Sequence, residues 1–214
     1  MTPAQPRRFP YNPRMKRLIF ALGCTLAVWT SVAAQSQPAT SEPHHKRLLY
    51  TNDVRVFDVV VPPGQSTSDY AYAHGVATVV IGSGVTSVRD AGSVIHVDNS
   101  ATADYHAIEV ENMRDDDRFL MPPVIMAAGT SVLTQSRAFT VYDVKLAADQ
   151  TTRHEHAWST IAVLLSGAIE QGGIGGEEPA RLRGAGQWLT LPRAQAHTLT
   201  AIGGDAHVVE IEAR

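Results

Sequence analysis

The chain has 214 residues, 44% apolar and 18% charged, enough to bury the core of one large domain or two small packed ones. Five of its 18 Lys and Arg (Arg7, Arg8, Arg14, Lys16 and Arg17) fall in the first 17 positions, and no acidic residue precedes Glu42. A chain beginning at Gln35 would carry 13 basic and 21 acidic residues, a net charge of −8, which argues against a nucleic acid or an anionic lipid surface as partner.

Met15-Lys16-Arg17 precede an apolar run of 12 residues, Leu18 to Trp29, and then Ser31-Val32-Ala33-Ala34. Basic, apolar and small-residue regions in that order read as an export signal spanning residues 1–34, cut after Ala34, with Met1 or Met15 as the start. The run falls short of the roughly 20 residues that cross a bilayer, so no stable span is expected after processing. The mature protein would be periplasmic or secreted. A lipoprotein reading around Ala21-Leu22-Gly23-Cys24 fits less well, because the apolar run continues past the cysteine. Cys24 is the only cysteine, so the mature chain has no disulfide and no thiolate chemistry. Residues 35–47 read as a flexible mature N-terminus, with His44-His45 solvated.

From there one pattern occurs twice, in residues 48–111 and 137–214. Val56-Phe57-Asp58-Val59 resembles Val141-Tyr142-Asp143-Val144. An alternating segment follows each, Asp69 to His74 and Arg153 to Trp158, then an apolar run closed by Gly84 or Gly167. Each copy ends alike, with His106-Ala107-Ile108-Glu109-Val110-Glu111 and His207-Val208-Val209-Glu210-Ile211-Glu212. Alternation is the strand period, and glycines mark turns. Many short strands without an amphipathic helix predict an all-β barrel or sandwich. Residues 112–136, opening on the charge run Arg114 to Arg118, read as a linker packed on the barrels. Counting back from the shared ends places His96 where His197 stands. Gly167 to His197 spans 30 residues and Gly84 to His96 only 12, so the first copy lacks roughly one hairpin.

The second copy carries the chemistry. His154 and His156, two apart on a strand, project to one face. Glu155 between them faces outward. His197 follows Gly186 and Pro192 and begins a further run; from a neighbouring strand it closes a set of three nitrogen donors. His207 is not expected to be a ligand. Gly172 to Gly176 reads as a hairpin loop, since no helix follows to make a phosphate cradle.

His154-x-His156, Gly167 and Gly186-x5-Pro192-x4-His197 resemble the two motifs of the cupin superfamily. The departures are Ala148 for a leading glycine, Thr160 or Ile161 for a glutamate ligand, Ala194 for a glycine and Ala201 for an asparagine. The resemblance implies a double-stranded β-helix, or jelly roll, in two tandem repeats. It also implies one divalent transition metal (Fe, Mn, Ni, Cu or Zn) on His154, His156 and His197. Cupins include dioxygenases, isomerases, decarboxylases and lyases, and the resemblance selects none of them. Trp158, Gln187 and Trp188 are candidates to line the cavity.

In the first copy Tyr70 and Tyr72 take the two motif histidine positions. This half reads as a degenerate barrel filled by those tyrosines, with their hydroxyls satisfied at the rim. A rebuilt His74/His96/His106 site is the alternative. Three functions stay open: a metal-dependent enzyme on a small molecule, a non-catalytic small-molecule-binding barrel, and a structural partner, with homodimerisation through strand edges.

Overall fold

A computed structural model describes residues 36–114, 127–172, 178–191 and 193–214. The export signal, most of the charge run, the glycines at 173, 175 and 176, and Pro192 lie outside the described residues. Apart from a 3₁₀ turn at Ala39–Ser41, the ordered elements are strands. The first half holds β1 (Gln37–Pro38), β2 (His45–Tyr50), β3 (Val54–Val61), β4 (Tyr70–Ala71), β5 (Val76–Val80), β6 (Thr86–Arg89), β7 (Val94–Ile95) and β8 (Tyr105–Asn112). The second holds β9 (Thr130–Gln135), β10 (Phe139–Leu146), β11 (Thr151–His154), β12 (Thr160–Ser166), β13 (Ile169–Gly172), β14 (Ala180–Leu182), β15 (Trp188–Leu191), β16 (His197–Ala201) and β17 (Ala206–Ala213). β9 falls within the stretch read as a linker; it pairs with β10 and belongs to the second half.

Each half has a five-stranded sheet, ordered β2-β3-β8-β5-β6 in the first and β9-β10-β17-β12-β15 in the second. Strand for strand the two correspond. Smaller sheets, β1-β4-β7 and β11-β16-β13-β14, close the inner face of each half. Phe57, Val59 and Ala107 of the first large sheet meet Tyr70 and Ile95 of its small one. Val144, Ala162 and Leu164 meet Ile169, Leu182 and Leu199 in the second.

The outer faces of the large sheets pack on each other. Val56, Val79, Ile108 and Val110 meet Val141, Ile161, Val163, Val209 and Ile211 in one cluster. Both faces of β12 are therefore covered, and six consecutive residues from Thr160 are buried where a one-sided strand would alternate. At about 1.5–3 kcal/mol per buried aliphatic side chain, this layer outweighs rim contacts such as Arg114–Asp53. A half-buried surface ion pair of that kind contributes about 1 kcal/mol.

Hydrogen bonds fix the correspondence between halves. Val80 N donates to Val85 O and Gly84 N to Val80 O; Leu164 N donates to Gln187 O and Gly186 N to Leu164 O. Gly84 thus answers to Gly186, not to Gly167 as the apolar runs suggested. The chain between Leu164 and Gly186 includes the β13–β14 hairpin, which has no counterpart among the described residues of the first half. Gly167 makes the turn into it at φ +77°, where a Cβ would lie 2.2 Å from Asp205 O.

Candidate functional site

Local alternation points the histidines inward. From Thr152 to His156 every second residue is buried, with Arg153 and Glu155 exposed. β11 pairs with β16 in the register that sets His154 opposite His197. Their Nε2 atoms lie 3.1 Å apart. The His156 ring stacks on His197 at 21° and stands at 88° to His154.

A fourth group completes the cluster. Glu210, on the central strand β17, faces Ala162 of β12 and enters the same space. His154 Nε2 is 3.0 Å from both its oxygens; His156 Nε2 is 3.3 Å from Oε2 and His197 Nε2 3.9 Å from Oε1. One donor atom from each of the four residues lies within 4.8 Å of the others. His197 and Glu210 are 0% exposed, His156 3% and His154 6%. Burial alone would raise the Glu210 carboxyl; the hydrogen bond from His154 and the close His156 and His197 rings outweigh it and hold the group well below the usual carboxylate range.

Glu210 is a donor that the three-histidine reading of the sequence did not include. The family's glutamate position falls on Thr160 or Ile161. The structure supplies the carboxylate instead from the strand paired with β12, where Thr160 faces Glu212 and Ala162 faces Glu210. Its signal was present: charged residues alternating with Val and Ile in a strand where both faces are buried.

The donor set fits a borderline divalent ion. A neutral imidazole carries one proton, and His154 Nε2 faces both an acceptor-only carboxylate and another ring nitrogen. His156 Nε2 and His154 Nδ1 are buried without a hydrogen-bond partner. Three imidazole nitrogens and one carboxylate oxygen suit Zn, Fe, Ni, Cu or Mn. Beside them, Tyr142 Oη donates to Glu212 Oε2 at 2.8 Å, and the Trp158 backbone N–H donates to Glu212 Oε1 at 3.1 Å. Burial, then the Glu212 charge, pushes the Tyr142 phenol up, so it keeps its proton.

Other candidates lie elsewhere. Trp158 meets the guanidinium groups of Arg114 and Arg193. Gln187 and Trp188 line a cleft of about 490 Å³ between the two halves, away from the four-residue cluster. His106 borders that cleft and contacts Asp58 at 2.7 Å. His207 makes the equivalent contact with Asp143. His74 contacts Glu111 and His96 contacts Asp69, so the three first-half histidines do not form one site.

The first half departs further. Tyr70 faces Ile95, not His96. A shift of one residue reverses the face, and the His96 side chain is exposed instead. Tyr70 and Tyr72 are buried, and their hydroxyls donate inward to Glu109, not to solvent at the rim. The expectation that His45 is solvated also fails. Its side chain is fully buried, on β2, against the Tyr70 ring at 4.4 Å.

No family model and no curated protein matches the sequence. Solved structures do resemble the fold. The cupin 2 conserved barrel domain protein from Leptotrichia buccalis is 11% identical, with 84% of this chain and 92% of that chain covered at a TM-score of 0.51. AerE from Microcystis aeruginosa is 12% identical, covering 81% and 98% at a TM-score of 0.54. Identities this low speak to architecture and not to activity. With its paired jelly-roll sheets and inward histidines, this chain is a cupin-fold protein.

Proposed function

We propose that this chain is an exported metalloprotein acting on a small molecule, with His154, His156, His197 and Glu210 holding one divalent transition ion. The carrying observation is the convergence of three ring nitrogens on an anionic carboxylate in a buried space, with His156 Nε2 3.3 Å from that carboxylate but without a hydrogen-bond partner. Such an ion would supply Lewis acidity and, if iron, manganese, nickel or copper, electron transfer. The reaction classes that fit are dioxygen activation, isomerisation and elimination. The chain's own groups add the rest. Glu210 stays charged, Tyr142 keeps its proton and donates it in a hydrogen bond to Glu212, and Leu164, Leu191 and Leu199 are buried in the core of the same half. Export rests on the order of residues 15–34.

Elemental analysis of untagged protein, residues 35–214, tests this beside the His154→Ala/His197→Ala variant. About one ion per chain, lost in the variant, is the expected result. Negligible metal in both after incubation with each ion would overturn it. Full burial of all four donors favours a second reading, a non-catalytic barrel that binds a small molecule. That reading expects ligand-induced stabilisation that survives His154→Ala.

A further inference from the structure

Asp58 and His106 recur in the second half as Asp143 and His207. In both halves the pair lies diagonally across two antiparallel strands, since Val60 faces His106 as Lys145 faces His207. His106 Nε2 is 2.7 Å from Asp58 Oδ1, and His207 Nε2 makes the same contact with Asp143. Each imidazole also reaches the glycine turn of the other half. A Cβ on Gly186 would lie 2.8 Å from His106 Cε1, and one on Gly84 would lie 3.8 Å from His207 Cε1.

The surroundings of the two pairs differ. Lys145 Nζ lies 2.6 Å from Asp143 Oδ2 and takes up the second carboxylate, which is buried. Val60 stands in place of that lysine in the first half, and the Asp58 and His106 side chains stay 26% and 33% exposed. What they face is the cleft of about 490 Å³, which is the size of a small-molecule site. The β13–β14 hairpin, without a counterpart among the described residues of the first half, brings Arg181 to the same cleft.

The walls define the ligand. Leu48, Ile108 and Trp188 present apolar surface, and an indole face suits an aromatic ring. Arg181 Nε and Nη2 lie 2.7 and 2.6 Å from Glu170 Oε2, so its charge is compensated, while the Asp58 charge opposes an anion. A carboxylate only accepts, so His106 carries its proton on Nε2 and presents a lone pair at Nδ1. His106 Nδ1 has no hydrogen-bond partner among the described residues and sits beside Gly186, itself part of the cleft wall.

We infer that this cleft binds a small uncharged phenol, its ring against Trp188 and its hydroxyl donating to His106 Nδ1. Asp58 acts as a positioning residue, holding the imidazole in the tautomer that accepts. Gly186 leaves the ring its room, because a side chain there would meet His106 Cε1. The site is separate from the histidine cluster and needs no ion.

The full chain, isotopically labelled, is titrated with para-cresol and with para-methylanisole, and the indole N–H signals are followed by nuclear magnetic resonance. The Trp188 signal, identified by its loss in Trp188→Phe, is expected to shift saturably with para-cresol, while that of Trp158, which does not line the cleft, stays in place. Para-methylanisole keeps the ring and lacks the donor, so it should bind about tenfold more weakly. His106→Ala, checked for folding by circular dichroism, should weaken para-cresol to the same degree and leave para-methylanisole unchanged. A folded wild-type chain whose Trp188 signal shows no saturable shift overturns the inference, as does equal affinity for the two compounds. That comparison is made on the wild-type chain and stands even if the variant does not fold.

Discussion

Glu109 and Glu210 occupy one position in two copies of the same sheet, each on the central strand and each turned into its own half. Around Glu210 the neighbours are ring nitrogens; around Glu109 they are two phenols, the Thr78 hydroxyl and one imidazole. The carboxylate is common to both halves; the groups that face it differ.

Glu210→Gln keeps the volume of the side chain and removes its charge. A bound ion stabilises the native chain by about 2.7 kcal/mol at a hundredfold excess over its Kd. We expect added zinc to raise the thermal midpoint of the wild-type chain and to raise that of Glu210→Gln far less, read by differential scanning calorimetry.

Ala194 replaces the glycine of the family pattern and still adopts φ +53°, while its N–H donates to His156 O at 2.7 Å. A side chain in the left-handed region costs about 1–2 kcal/mol. Ala194→Gly is therefore expected to raise stability by about 1 kcal/mol in urea unfolding, after the extra freedom of glycine in the unfolded chain is subtracted.

Two glycines with similar angles separate strain from space. Gly203 has φ +69° and open space at the Cβ position; Gly167 has φ +77° and a backbone oxygen there at 2.2 Å. Gly203→Ala is expected to cost about 1 kcal/mol. Gly167→Ala should cost well above that, because Asp205 backbone must move. Equal losses would contradict the assigned turn.

Asp143 accepts from Lys145 Nζ at 2.6 Å and contacts His207. Burial would raise its carboxyl, but these partners lower it below the ordinary value. A lowered native value means the unfolded chain binds the proton first. The contribution of Asp143 is thus complete above the unfolded value of about 4 and fades as the pH falls through the native one. Asp143→Asn should lose stability at pH 7 and converge on the wild-type chain in acid, measured by urea midpoints from pH 7 downward.

Ile161 lies fully buried in the layer shared by both halves. Ile161→Ala is expected to cost about 2–5 kcal/mol and to lower one common transition rather than split it. Calorimetry showing an unaltered transition for the first half would contradict the shared core.

The repeats, their strands and the inward pair His154/His156 were legible because alternation and spacing are local. The one-residue offset between His96 and Ile95 was not. Counting from the shared ends assumed equal loops, and face depends on a single residue. Glu210 escaped because its partner strand β12 is far away in sequence, and only register brings them together. His45 was hidden for a similar reason: a polar segment after an export signal reads as a tail, yet β2 pairs with β3 and carries the ring inside.

The last strand of each half is also its middle strand. β8 lies between β3 and β5, and β17 lies between β10 and β12. During synthesis neither large sheet can close until its final residues emerge, so pairing must wait for contacts that span most of the half. A chain released a few residues early loses the centre of its second sheet, and with it Glu210, rather than an expendable edge.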